Sequence, residues 1–313
     1  MGRILAFAAQ ASPFLLAGLA LGGSMYRLVN HTFYASGKCK KVAVDNNLEK
    51  TLSPYLNSMV NKVADNFLSG KISPRDFAEI KFFLAETSEV YSRGSTKTRP
   101  CGFIGIPKHF LYQDTKDVRL EELPFPDTKD ILDSDKQERL KESLCLSEQA
   151  KKFALTSEIN SINTYYIHFK FFDFLPLLTG FTYTWVAVSD KLNRVPPLAQ
   201  IGLICVIALL WTTIGYLFED MYEQYRINKA DRRTAALGDE YIHGGIEYFE
   251  KLLIRNQIVR ETELISGKAP YNKDGERINK WYEYGRPFFN KRLERLRGLK
   301  KEELVDREEK TVS

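Results

Sequence analysis

The stretches FFDFLPLLTGFTYTWVAVS at 171–189 and LAQIGLICVIALLWTTIGYLF at 198–218, joined by DKLNRVPP at 190–197, decide the fold. Each apolar block holds about 20 residues, the length an α-helix needs to cross roughly 30 Å of hydrocarbon. The second block carries no charge from Ile201 to Phe218, and its Trp211 and Tyr216 lie toward one end, where aromatic rings favour the membrane interface. The first holds Asp173 and Pro176 in its opening turns, where an acid reaches the headgroups and a proline costs no interior hydrogen bond. Asp173 therefore reads as an interfacial acid rather than an ion site. The link is too short for a domain, so the two blocks form an antiparallel helical hairpin.

A hairpin crosses the membrane and returns, so residues 24–170 and 219–313 must lie on one side, where they can fold together. A third apolar block, ILAFAAQASPFLLAGLALGG at 4–23, supplies a first span and competes with a reading as a secretory signal. From Met1 to Val44 there is no Asp or Glu, whereas Arg3, Arg27, Lys38, Lys40 and Lys41 are present. That acid-free basic start is of the mitochondrial kind. Basic residues also follow the last block, at Arg226, Lys229, Arg232 and Arg233, while the link offers Lys191 and Arg194. The positive-inside rule then puts both large segments on the matrix or cytosolic side.

The 313 residues carry 45 Lys and Arg against 40 Asp and Glu, a net charge of +5 with the signs interspersed, so nucleic acid is a poor partner. The mean hydropathy of −0.30 looks soluble because the segments between the blocks are highly charged. Cys39, Cys101, Cys145 and Cys205 are far apart and offer no C-x-x-C or C-x-C spacing for zinc or copper, so they read as reduced structural thiols. The histidines at 31, 109, 168 and 243 are scattered, and there is no phosphate-cradling glycine loop or nucleophile elbow.

The fold class expected is mainly α: a multi-span membrane protein with a helical hairpin and a soluble α-rich (α+β) domain assembled from the flanking segments. Residues 45–92 read as helices, from Leu48, Leu52, Leu56, Val60 and Val63 and from a second start at Ser73-Pro74. CGFIGIPKHFLY at 101–112 reads as one or two short strands, and 113–142 as a charged loop. Ser147 caps a helix that runs without a break into the first block of the hairpin. After 218 a long helix continues past Gly238 and the Gly244-Gly245 pair, which mark a turn or close helix contacts. RPFFNKRLERLRGLKKEELVDREEK, at 286–310, reads as a solvated amphipathic helix with a weaker claim on a membrane surface.

LSEQAKKFALTSEI at 146–159, DRRTAALGDEYIHGGIEYFEKLL at 231–253 and IGIPKHFL at 104–111 resemble the transmembrane protein 177 family. The resemblance implies a mitochondrial inner-membrane protein that stabilises newly made cytochrome c oxidase subunit II together with the assembly chaperone of that subunit. It implies protein contacts rather than catalysis, with no cofactor.

The order of helix, hairpin and helix with Ala-Asp is similar, more distantly, to membrane zinc proteases of the HtpX and CAAX-processing type. Those enzymes carry H-E-x-x-H on the first helix and a glutamate four residues before the Asp. Two histidines four apart share one helix face and hold the metal, while the glutamate between them serves as general base. On the matching positions Ser157 and Ser161 replace the histidines, Glu158 remains in the base position, and on the second helix Ile227 replaces the ligand glutamate four residues before Asp231. Hydroxyls and an isoleucine do not replace imidazole and carboxylate as zinc ligands. The expectation is a pseudo-protease scaffold in which Glu158 or Asp231 pairs with Arg232 or Arg233 across the helices. Structural candidates are thus Glu158, Asp231, Arg232, Arg233, Gly244 and Gly245. The alternative is a membrane-embedded hydrolase of zincin descent with an unusual or absent metal. A small transporter has little room in three spans.

Overall fold

The computed structural model describes residues 18, 22–23, 25–26, 28–30, 32–48, 52–68, 73–98, 102–120, 133–172, 174–192, 195–265, 270–278 and 287–312. The proposed first span at 4–23, apart from 18, 22 and 23, lies outside them, as do Asp173 and Cys101. The elements run α1 (Ala35–Val42), α2 (Pro54–Leu68), α3 (Pro74–Ala78), β1 (Lys81–Ala85), β2 (Tyr91–Arg93), β3 (Phe103–Pro107), α4 (Ser134–Leu144) and α5 (Glu148–Ile162). Then follow α6 (Tyr166–Phe172), α7 (Phe174–Leu192), α8 (Pro197–Ala235), α9 (Asp239–Ile265) and α10 (Phe289–Val312).

Two helical stretches, Tyr166–Val188 and Leu198–Ala235, are long and apolar enough to cross a membrane. They carry the hairpin blocks, and most of their apolar surface is unburied: Leu198, Val206, Leu209, Leu217 and Phe218 are all exposed. α7 and α8 touch along a seam of Phe181, Ile204 and Ile207 with Trp185 and Trp211. Gly180 lets that seam close, since a Cβ there would lie 2.2 Å from the Trp211 ring. The Trp211 Nε1–H donates to Thr184 Oγ1 at 3.2 Å. Trp211 therefore also seals the hairpin, because the glycine opposite leaves a slot that an indole fills.

Elements from both sides of the hairpin share one core. Leu56, Val60, Val63 and Phe67 of α2, Ile104 and Ile106 of β3, Phe153 and Ile159 of α5 and Phe249 and Leu252 of α9 are all buried in it. The helical spacing read in 45–68 is that of α2. Beyond Ser73, however, helix persists only through α3, and Lys81–Ala85 is a strand. It pairs in parallel with the wholly buried β3, on whose other side β2 runs antiparallel, giving the order β1-β3-β2. The strand pattern predicted around 101–112 thus found partners inside a segment expected to be helical.

Three further expectations are corrected. Residues 134–142 are helical, not loop: Leu140 and Leu144, one turn apart, bury against Tyr112, Val118 and Ile258. Two apolar residues are too few to show as a stripe. The helix opened by Ser147 stops at Ile162, because the loop after β2 intercepts its end. Thr96 N–H donates to the Ile162 carbonyl at 3.2 Å, Ser95 Oγ–H to the Thr164 carbonyl at 2.6 Å, and Thr96 Oγ1–H to Asn163 Oδ1 at 2.8 Å. Finally, α10 is not merely solvated, since Phe289, Leu293 and Leu296 are buried in the main core.

α5 and α9 approach most tightly at Gly244, where a Cβ would lie 2.3 Å from the Gln149 carbonyl oxygen. Backbone cannot yield as a side chain would. Gly244→Ala is expected to destabilise the body by about 1–3 kcal/mol despite the better helix propensity of alanine, lowering the thermal midpoint in detergent. Gly298 of α10 faces open space, so Gly298→Ala is expected to raise stability by about 0.5–1 kcal/mol. His109 is buried, and its burial, with Arg255 and Lys151 nearby, holds its pKa well below the ordinary 6.5. The unfolded chain takes up a proton there that the folded chain refuses. This contribution to stability is complete above pH 6.5 and is lost as the pH falls below it. The thermal midpoint is expected to drop from pH 7 toward pH 5.5 (~1 unit below the ordinary value), and less steeply in His109→Gln.

Candidate functional site

The sequence marked α5 and the end of α8 as the place where chemistry would be, and there the helices meet through polar groups. Ser157 Oγ–H donates to Asp231 Oδ1 at 2.7 Å. Asn160 Nδ2–H donates to Thr234 Oγ1 at 3.0 Å, and the Thr234 hydroxyl donates to the Ala230 carbonyl at 2.9 Å. Ser157, Asn160, Asp231 and Thr234 are all buried. Three- and four-residue spacing puts Ser157, Asn160 and Ser161 on one face of α5, and Ile227, Asp231 and Thr234 on one face of α8.

The cation that answers Asp231 comes from neither helix. Arg292 of α10 donates through Nε to Oδ2 and through Nη2 to Oδ1, both at 2.7 Å, a bidentate fork on a carboxylate that also accepts from Ser157. Both side chains are nearly buried, at 12% exposure for Arg292 and 9% for Asp231. The guanidinium carbon sits 4.5 Å from the centre of the Phe249 ring. Burial opposes the charge on Arg292, yet the Asp231 carboxylate outweighs it and pushes the guanidinium pKa up. The expected partners are elsewhere: Arg232 is exposed and Arg233 half-buried on α8. A residue adjacent in sequence to Asp231 points about 100° around the helix from it.

Glu158 also departs from the expected ion pair. Its Oε2 accepts from Ser92 Oγ of β2 at 2.6 Å, and Ser161 Oγ lies 3.5 Å away. Ser161 is taken up by Arg226, whose Nη1 donates to its carbonyl and its hydroxyl, each at 2.8 Å. Arg226 also pairs with Glu223 and lies 4.4 Å from the centre of the Tyr166 ring. Ile227 is buried and apolar. Gly244 and Gly245 do not line the site but let α9 close on α5, where a Cβ on Gly245 would strike Phe153 and Leu296. The structure therefore brings Ser157, Glu158, Ser161, Ile227 and Asp231 together on facing helices and leaves Arg232, Arg233 and the glycines outside.

Of these, Ser157, Glu158, Ser161 and Ile227 border a cavity of about 120 Å³, whose walls also include Ser92, Glu223, Glu276, Phe288 and Arg292. The donor set does not suit zinc, because the atoms at the three ligand positions are two hydroxyls and a hydrocarbon. Among the described residues no group of three His, Cys, Asp or Glu could hold a metal ion. Arg292, Arg226 and Ser92 were not anticipated. One signal for Arg292 was present: it shares a helical face with Phe289 and Leu296, so an apolar stripe that buries them buries it too.

No solved structure matches the chain, so the likeness to zinc proteases rests on motif order alone. Among known proteins the chain is 28% identical over 178 residues to transmembrane protein 177 of Xenopus laevis, covering 55% of this chain and 57% of the relative. It is 26% identical over 237 residues to that of Mus musculus, covering 74% and 73%. The figure is 30% over 147 residues for that of Homo sapiens, covering 45% and 43%. The match thus spans a little over half of the frog relative's length and under half of the human one's. The family profile of transmembrane protein 177 covers residues 23–279, and the chain belongs to that family of membrane proteins.

Proposed function

We propose that this chain is a non-catalytic assembly and stabilisation factor of the mitochondrial inner membrane, supporting the biogenesis of cytochrome c oxidase subunit II through contacts with that subunit and its assembly chaperone. The observation that carries the reading is the use made of Asp231. Both its oxygens are committed to Arg292 and Ser157, so the seam where a zincin would hold its catalytic group acts here as a helix clamp. Family membership and the acid-free basic start from Met1 to Val44 support the location. The exposed apolar faces of α7 and α8 support a multi-span anchor that also meets a membrane client. The basic residues after the second hairpin helix favour the matrix side for the helical body.

Affinity purification of the tagged full chain from detergent-solubilised mitochondria, with mass spectrometry and metal analysis of the same sample, tests the reading. Recovery of oxidase subunit II and its chaperone without stoichiometric zinc is expected. Zinc in the absence of those partners would return the protein to the alternative of a membrane hydrolase. In mitoplasts with an intact inner membrane, a C-terminal tag is expected to resist added protease; its digestion would place the body on the other side. Arg292→Leu leaves a buried carboxylate without its cation and is expected to cost about 3–5 kcal/mol. Asp231→Leu with Arg292→Leu is expected to recover most of that loss, as read by thermal unfolding and by steady-state abundance.

A further inference from the structure

The cavity beside α5 is unevenly balanced in charge, and the imbalance falls on one residue. Around it Glu223 is paired with Arg226, Glu89 with Arg277 at 2.9 Å, and Asp231 with Arg292. Glu276 accepts from the backbone N–H groups of Phe289 and Asn290 at the start of α10, where the helix dipole answers its charge. Among these described carboxylates Glu158 is the one held at close range by neutral hydroxyls, those of Ser92 and Ser161, while Arg226 and Arg292 act on it from a longer distance. Only Oε2 is engaged by them. In all, four carboxylates and three guanidiniums line the cavity, and each guanidinium is already in a close pair.

Glu158 is half-buried at the cavity wall, with Oε1 free of these hydroxyls, and a carboxylate in such a recess favours a cation close by. The remaining walls suit an organic cation, since Phe153, Tyr166, Tyr248 and Phe288 present aromatic surface around the same space. A volume of about 120 Å³ admits the end of one long side chain. Height above the bilayer separates a protein source from a lipid one. Glu223 lies five residues beyond Phe218, or about 8 Å, and Asp231 thirteen residues, or about 20 Å. The polar headgroup layer is only about 5–8 Å deep on each side, so the α8 wall of the cavity begins at its outer edge.

We infer that this cavity is a receptor for a basic side chain, Lys or Arg, presented by a partner protein, with Glu158 as its counter-ion. The inference rests on the assembly-factor reading and gives that reading a point of contact: the client or its chaperone places one cationic side chain against Glu158, between β2 and α5. The Ser92 hydroxyl holds the carboxylate in position, and the aromatic walls cover the methylenes.

The test uses the purified full chain in phosphatidylcholine nanodiscs, with Nα-acetyl-lysine methylamide as the probe and the uncharged norleucine analogue as its control. Binding is read by saturation-transfer NMR and by the shift of the thermal midpoint. The lysine probe is expected to bind and the norleucine probe not to. Glu158→Gln is expected to weaken binding at least about tenfold. Phe288→Ala, on the exposed rim, is expected to weaken it severalfold and decides the matter should Glu158→Gln not fold. Equal responses to both probes, no response to lysine, or unchanged affinity in the variants would overturn the inference. Adding phosphatidylethanolamine to the discs should not compete; competition would assign the cavity to lipid. A chain that captures oxidase subunit II yet ignores the lysine probe would sink this inference alone, whereas probe binding without that capture would sink the assembly reading.

Discussion

One buried ion pair ties the architecture together. Asp231 projects from the long helix α8, Arg292 from the last helix α10, and Ser157 from α5, so three segments far apart in sequence converge on a single carboxylate. A buried pair is weak as a source of net stability, because desolvation consumes most of the Coulombic gain. Its value lies in register. A fork of two donors on one carboxylate accepts a narrow range of rotations, and a misplaced helix would leave both charges unmatched. The surrounding apolar core, from Phe153, Phe249, Phe289 and Leu296, supplies cohesion without that discrimination.

The polar seam also joins the two environments of the chain. α8 is a single helix from Pro197 to Ala235, about 58 Å long. Its first half packs on α7 by apolar contact, and its second half packs on α5 by hydrogen bonds. Nothing among the described residues of α8 interrupts it between the two. The position of the clamp is therefore set by the tilt and rotation of the hairpin, and the hairpin is oriented in turn by the body.

What the residues disclosed in advance follows from where the information is local. Hydrophobic runs at 171–189 and 198–218, the Ser147 cap and the apolar stripe of α2 are each carried by neighbours in sequence, and each was legible. β1 was not, because KFFLA takes its conformation from a partner strand some twenty residues away. The end of α5 was hidden for a similar reason, since residues 95 and 96 cap it from another part of the chain. At the site, the facing positions on α5 and α8 could be named from motif order, yet the identity of the counter-ion could not. Arg232 and Arg233 were nearest in sequence to Asp231, and helical geometry turned both away while α10 delivered Arg292 from sixty-one residues on.

That late delivery bears on how the protein is made. A ribosome hands over the chain from its start, so Asp231 is made sixty-one residues before its cation. Without α10, the Asp231 carboxylate keeps the Ser157 hydroxyl and lacks its cation. The final helix thus completes the centre of the body: a chain cut short before Arg292 would carry both hairpin blocks yet lack the counter-ion on which α5 and α8 close.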